Sequence, residues 1–145
     1  MNYGFFPKSE FDRVRSSAFD LTTALPLLAD MCRVNTITSI KLAGSGHLGT
    51  SLSSMDIFAY LYFVRLNVTK LGWQHEDRDL FFSSKGHDVP GLYAVLHAVG
   101  ILEESVFLDL AAGGATSIEA NRSDARWGNR AASLVYRSIC RVKGI

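Results

Sequence analysis

The apolar positions Phe11, Val14, Ala18, Leu21, Leu25, Leu28 and Cys32 recur in alternating steps of three and four. That spacing puts them on one helical face and predicts a helical segment from Phe11 to Cys32, with Pro26 kinking or dividing it. The stretch V-N-T-I-T-S-I-K-L-A (34–43) is rich in β-branched residues, and propensity alone leaves it as either a strand or the end of a helix. Helical spacing returns at Leu52, Met55, Ala59, Tyr62 and Leu66, and Ser53 stands three residues before Asp56 as a helix-start signal. This helix is expected to stop near Asn67. Residues 67–79 are polar and turn-prone and predict a surface connection.

Leu80-Phe81-Phe82-Ser83 is a short apolar run that predicts a brief buried strand. Pro90 suits the first turn of a helix whose apolar face is Leu92, Val95, Leu96 and Val99, and Gly100 suits its C-terminal cap. A further short helix is expected over 103–111. After the break G-G-A-T-S, helical spacing resumes at Ala131, Leu134, Val135 and Ile139.

The chain has 145 residues, 48% apolar and 20% charged, which allows one domain with one sizeable core. Cys32 and Cys140 are far apart and form no metal-ligand spacing, so both are expected as reduced thiols in a cytosolic protein. The N-terminus has no signal-peptide character. The longest apolar stretch, 57–64, is far short of the ~18 residues a membrane helix needs and is expected in the core. A soluble cytoplasmic protein follows as the expectation.

Charge changes the picture near the C-terminus. Residues 119–145 hold six basic and two acidic side chains, while the rest hold nine basic and twelve acidic. Such a tail allows an interaction protein that binds nucleic acid or an acidic partner. The tail's aromatics stop at Trp127 and Tyr136, which argues against nucleic acid.

The candidate chemistry lies in two loops. Residues 44–49, G-S-G-H-L-G, match the dinucleotide-binding spacing G-x-G-x-x-G. That motif needs a strand before it, a helix after it and an acid about 20 residues on. The strand would have to be 34–43, and the acid is missing, because Val68, Thr69 and Lys70 occupy that window. A helical 34–43 would exclude this reading. The alternative is that glycines open the backbone around His47, and that His87, in S-S-K-G-H-D (83–88), sits in a second loop ahead of the Pro90 helix. Histidines so placed can donate to phosphate oxygens or move protons near neutral pH. His75, in a charged loop, and His97, beside the apolar face of its helix, are expected to carry no chemistry.

From Lys41 to Leu102 the residues resemble the N-terminal part of transketolases, nearest the form found in split, two-subunit enzymes. Four landmarks occur in the family's order: S-G-H-L-G at 45–49, Asp56, D-R-D at 77–79, and S-K-G-H at 84–87 followed by L-Y-A. The resemblance implies that His47 lines the active-site channel and contacts the sugar substrate. It implies that His87 contacts the diphosphate of thiamine diphosphate, and that Ser45, Gly46, Ser84 and Gly86 shape the two loops. The family's reaction uses that cofactor, with Mg²⁺, to pass a two-carbon unit between sugar phosphates. The resemblance also places 34–43 in a helix and the loop after it.

The sequence departs from the family in having no G-D-G, the motif that holds the metal on the diphosphate. Beyond about residue 112 the resemblance ends. The expected organisation is therefore residues 1–112 as the first part of a thiamine diphosphate-binding domain and 113–145 as an unmatched basic tail. The expected fold is α/β, with helices around the first strand of a parallel sheet and a core left incomplete. A truncated or frameshifted transketolase is the expected origin, with a natural short homologue that pairs with a second subunit as the alternative. In either case the chain alone is expected to lack full activity.

Overall fold

The computed structural model describes residues 4–44, 46–83 and 88–111. Among them the architecture is helical throughout: α1 (Lys8–Arg15), α2 (Leu21–Ala43), α3 (Leu48–Ser53), α4 (Met55–Tyr60), a π-helical turn (Leu61–Arg65), α5 (Val68–Leu71), α6 (Val89–Ala98) and α7 (Glu104–Ala111). The basic tail, 113–145, lies outside the described residues.

The helical break, residues 16–20, falls six to ten residues before Pro26. The Ser16 and Ser17 hydroxyls donate to the Arg13 and Val14 carbonyls, drawing the chain out of α1. Asp20 then caps the next helix by accepting from the Thr23 N–H at 2.9 Å. Pro26 sits in the second turn of α2, where it forfeits the bond to the Thr22 carbonyl and crowds that carbonyl with its ring, yet the helix runs on. Downstream, Leu28, Ala29, Met31 and Cys32 are buried, and that packing outweighs the local cost.

Residues 34–43 are the last turns of α2, which closes at Gly44 with φ +67°. The β-branched and hydroxyl side chains are accommodated within the helix. Thr36 donates to the Cys32 carbonyl and Ser39 to the Thr36 carbonyl, both at 2.8 Å, so neither buried hydroxyl is left without a partner. With no strand before the glycine loop, the dinucleotide reading fails.

The expected single helix over 52–66 is three shorter pieces. Ser53 does not cap; α3 ends after it, and α4 begins past the turn at Ser54. The π-helical turn follows, closed by the Leu66 N–H bonding to the Leu61 carbonyl at 2.7 Å. The apolar run 57–64 is only partly core, since Ile57 and Tyr60 are exposed while Phe58, Ala59 and Tyr62 are buried.

Leu80–Ser83 also departs from expectation. It lies outside any helix and pairs with no strand among the described residues, and Leu80 and Phe82 are exposed. Only Phe81 turns inward, meeting the Phe58 and Tyr62 rings edge-on at centroid distances of 5.6 and 6.1 Å. The parallel sheet expected of an α/β fold is thus absent from the described residues.

α6 is the centre of the core. All ten of its residues are buried, and α1, α2, α3, α4 and α7 pack around it. Pro90 occupies its first turn, and Gly100, at φ +81°, follows its last, as expected.

Candidate functional site

The loop between α2 and α3 is shaped by its glycines unequally. Gly46 has φ +143°, and a Cβ there would fall 2.8 Å from the Ile40 Cγ1, so backbone and neighbour both demand glycine. Gly49 lies inside α3 at ordinary dihedrals, with nothing within 4 Å of where a Cβ would be. His47 stands between them at the residue before α3, in extended conformation and exposed. The fold thus presents His47 at the surface on a backbone that Gly44 and Gly46 make possible.

Ser45, Ser84, Gly86 and His87 lie outside the described residues. The segments around them are described. The Ser83 hydroxyl donates to both carboxylate oxygens of Asp88, at 3.1 and 2.9 Å, and so ties together the two ends of the S-S-K-G-H-D loop. Asp88 is buried, and its carboxylate makes no capping bond to α6. Asp88 and Ser83 were not singled out from the sequence, although both stand within the quoted motif. The signal was an acidic residue just ahead of a Pro-started helix.

α3 and α6, the helices that follow the two loops, meet at close range. A Cβ on Gly91 would lie 3.0 Å from the Ser51 carbonyl oxygen. Ser51 comes four residues after His47 in the sequence, and Gly91 four residues after His87. The Thr50 and Ser51 hydroxyls, also in α3, are buried with no hydrogen-bond partner. Such atoms are costly unless something polar satisfies them.

The remaining landmarks are structural clasps. Asp56 binds the Arg33 guanidinium at 2.6 Å, and Arg33 also reaches Asp30 at 2.6 Å and the Leu52 carbonyl at 3.3 Å, which fastens α2 to the α3–α4 junction. In D-R-D, Asp79 and Asn67 exchange bonds of 2.8 and 2.6 Å. Arg78 is buried, lies 5.3 Å over the Trp73 ring and donates to the His75 carbonyl. The polar connection 67–79 is therefore a folded unit, with α5 inside it and Val68 in the core. His75 serves it by accepting the Asp77 N–H at 3.1 Å.

No group of three or more His, Cys, Asp or Glu side chains among the described residues can hold a metal ion. No helix among them is long and apolar enough to cross a membrane.

Comparison with known proteins bears on these loops directly. The chain is 37% identical to transketolase of Mus musculus over 87 residues, 60% of this chain and 14% of that protein. It is 35% identical to transketolase-like protein 2 of Bos taurus over 97 residues, 66% of this chain and 16% of that protein. To the 6-deoxy-6-sulfo-D-fructose transketolase subunit SqwG of Clostridium sp. (strain MSTE9) it is 39% identical over 74 residues, 50% of this chain and 26% of that protein. The chain therefore spans about a seventh of the length of the mouse enzyme. No solved structure matches it. The family model described as the transketolase, thiamine diphosphate binding domain matches residues 26–109, from the second turn of α2 to α7, and the chain belongs to that family.

Proposed function

We propose that the chain forms the two-histidine edge of a thiamine diphosphate site that passes a two-carbon unit between sugar phosphates, completed by a second polypeptide or further domain. The observation that supports this reading is the α3–α6 contact at Ser51 and Gly91, from which four residues of sequence lead back to His47 and four to His87 within the matched region. The unsatisfied Thr50 and Ser51 hydroxyls and the open space beside Gly49 fit a polar ligand there.

In this reading His47 contacts the hydroxyls of the sugar and helps move its protons, and Ser45 shapes its loop. His87 contacts the diphosphate, with Ser84 and Gly86 shaping the second loop, while Ser83 and Asp88 hold that loop's ends. Thiamine diphosphate, when bound, supplies the nucleophilic carbon on which the family's carbon–carbon chemistry depends.

Mg²⁺ does not fit the described residues, because no cluster of acidic or histidine ligands stands among them. A bound diphosphate would then keep much of its negative charge uncompensated. The metal ligands, and part of the cofactor's binding energy, would come from outside the described residues. That the relative SqwG is itself called a subunit supports a shared site.

Calorimetry tests this reading. The chain alone, with Mg²⁺ present, is expected to give little or no heat with thiamine diphosphate. Tight stoichiometric binding by the chain alone would overturn the need for a completing polypeptide. Mixed with a polypeptide carrying the remaining transketolase domains, the chain is expected to support two-carbon transfer. His47→Ala should lower kcat/KM in that mixture by about 10²-fold, the usual scale for removing a proton-transfer group.

A further inference from the structure

His97 lies six residues along α6 from Gly91, about 9 Å of helix. It is 1% exposed, and its ring stacks on Phe107 of α7 at 5.3 Å and 21°. Phe5 lies at 5.3 Å and Phe11 of α1 meets it edge-on at 6.4 Å. Phe5 also stacks on Phe107, so the imidazole is one ring of a four-ring cluster that joins the N-terminal segment, α1, α6 and α7. Neither ring nitrogen has a hydrogen-bond partner of normal geometry.

Besides this cluster, the segment is held by Phe11 and Val14 in the core and by a few polar contacts to α2. Residues 4–7 run along α2, where the Asn35 amide accepts the Phe6 N–H at 2.8 Å and donates to the Phe6 carbonyl at 2.9 Å. Thr38 donates to the Gly4 carbonyl. Beyond them, the Lys8 stem lies where a Cβ on Gly100 would fall, so α1 rests on the end of α6.

A neutral imidazole serves here as a small aromatic ring. A protonated one would place a charge among phenylalanines, where burial costs more than the Phe6 and Leu102 backbone groups and the ring faces return. The two charged groups that act on it pull in opposite directions. Lys8 of α1, itself paired with Asp12, opposes protonation, and Glu104 of α7 favours it. The buried residues of α2 are neutral, its Cys32 thiol included, and those of α6 flanking His97 are apolar. Burial is the leading effect and lowers the ring's proton affinity; the Phe6 and Leu102 backbone groups oppose it only in part. Relief comes by moving one wall of the cluster away. α6 is buried along its whole length and cannot leave, whereas residues 4–15 can.

We propose that His97 is an acid-sensitive latch: neutral, it holds residues 4–15 against the end of α6, and on taking a proton it releases them while α2, α4 and α6 stay packed. The latch is independent of the transketolase site, and its failure would leave that reading untouched.

Amide hydrogen exchange on the full chain tests it, with rates corrected for the intrinsic effect of pH. Protection of residues 4–15 is expected to fall at least about tenfold between pH ~7.5 and ~5.5, with α2, α4 and α6 unchanged. His97→Phe should keep the segment protected at both values. A nitrogen-15 titration of the His97 ring in the unaltered chain should show protonation tracking the loss of protection, which keeps the test decisive if the variant fails to fold. Three outcomes would overturn the latch: unchanged protection, equal loss in His97→Phe, or loss spread evenly over all the helices.

Discussion

At one end of the α3–α6 pair, His47 is exposed on a loop that Gly44 and Gly46 make possible; along α6, His97 is closed among Phe5, Phe11 and Phe107. The same side chain meets water in one place and aromatic carbon in the other. The first stands at the surface, where the proposed contact with a sugar requires it. The second is closed off from water, and burial lowers its proton affinity. Local backbone decides the first environment, and long-range packing decides the second.

The contrast breaks most visibly if the aromatic end is emptied. Phe107→Ala removes a ring that is 1% exposed and stacks on both Phe5 and His97. A buried Phe→Ala change costs roughly 3–5 kcal/mol, which urea unfolding would show as a lower midpoint. The His47 loop should be spared wherever the chain remains folded. Asn35→Ala acts on the same end more mildly. It orphans the Phe6 N–H and carbonyl, at about 1–3 kcal/mol for each group that stays buried. A fraying N-terminal segment would reduce that loss, so hydrogen exchange at residues 4–7 should rise even if global stability changes little.

How far each end was legible in the sequence follows the same division. Gly-Ser-Gly-His announces an open backbone within four residues, and the exposed His47 agrees with it. Gly100 and Pro90 likewise act within a turn of themselves, and α6 begins and ends where they indicate. Phe5, Phe11, His97 and Phe107 span a hundred residues, and no spacing rule links them, so His97 read as an idle neighbour of an apolar face. The strand expected at 80–83 failed for a related reason: an apolar run becomes a strand only when a partner chain pairs with it. Residues 34–43 read ambiguously because β-branched propensity ignores the hydroxyl-to-carbonyl bonds that Thr36 and Ser39 make inside a helix.

At the loop end the larger prediction is Gly46→Ala. Its φ of +143° and the 2.8 Å approach to Ile40 force either strained backbone or a shifted α2 terminus. The expected cost is about 1–3 kcal/mol, with the His97 cluster unaffected. Thermal unfolding gives the cost, and ring-current shifts from Phe107 report the cluster.

Acid should distinguish the ends next. The His97 proton affinity is lowered in the folded chain from an ordinary pKa of 6.5, chiefly by burial. The unfolded chain therefore binds a proton more readily than the folded one, and stability falls as pH drops below about 6.5 until the folded ring itself protonates. One such group contributes a slope of at most ~1.4 kcal/mol per pH unit. Urea unfolding at pH 7.5 and 5.5 should show this slope in the unaltered chain and a smaller one in His97→Phe.

The smallest effect separates the two glycines beside His47. Gly49 is the second residue of α3, at dihedrals any residue adopts, and nothing lies within 4 Å of an added Cβ. Alanine there gives up less backbone freedom on folding, so Gly49→Ala should stabilise the chain by about 0.5 kcal/mol. Opposite signs at Gly46 and Gly49, measured by the same unfolding assay, would show that the first glycine shapes the loop and the second leaves room beside it. If the completed transketolase site also binds cofactor or sugar less well in Gly49→Ala, the room is occupied by ligand. If Gly49→Ala instead destabilises the chain, α3 is strained in a way its dihedrals do not reveal.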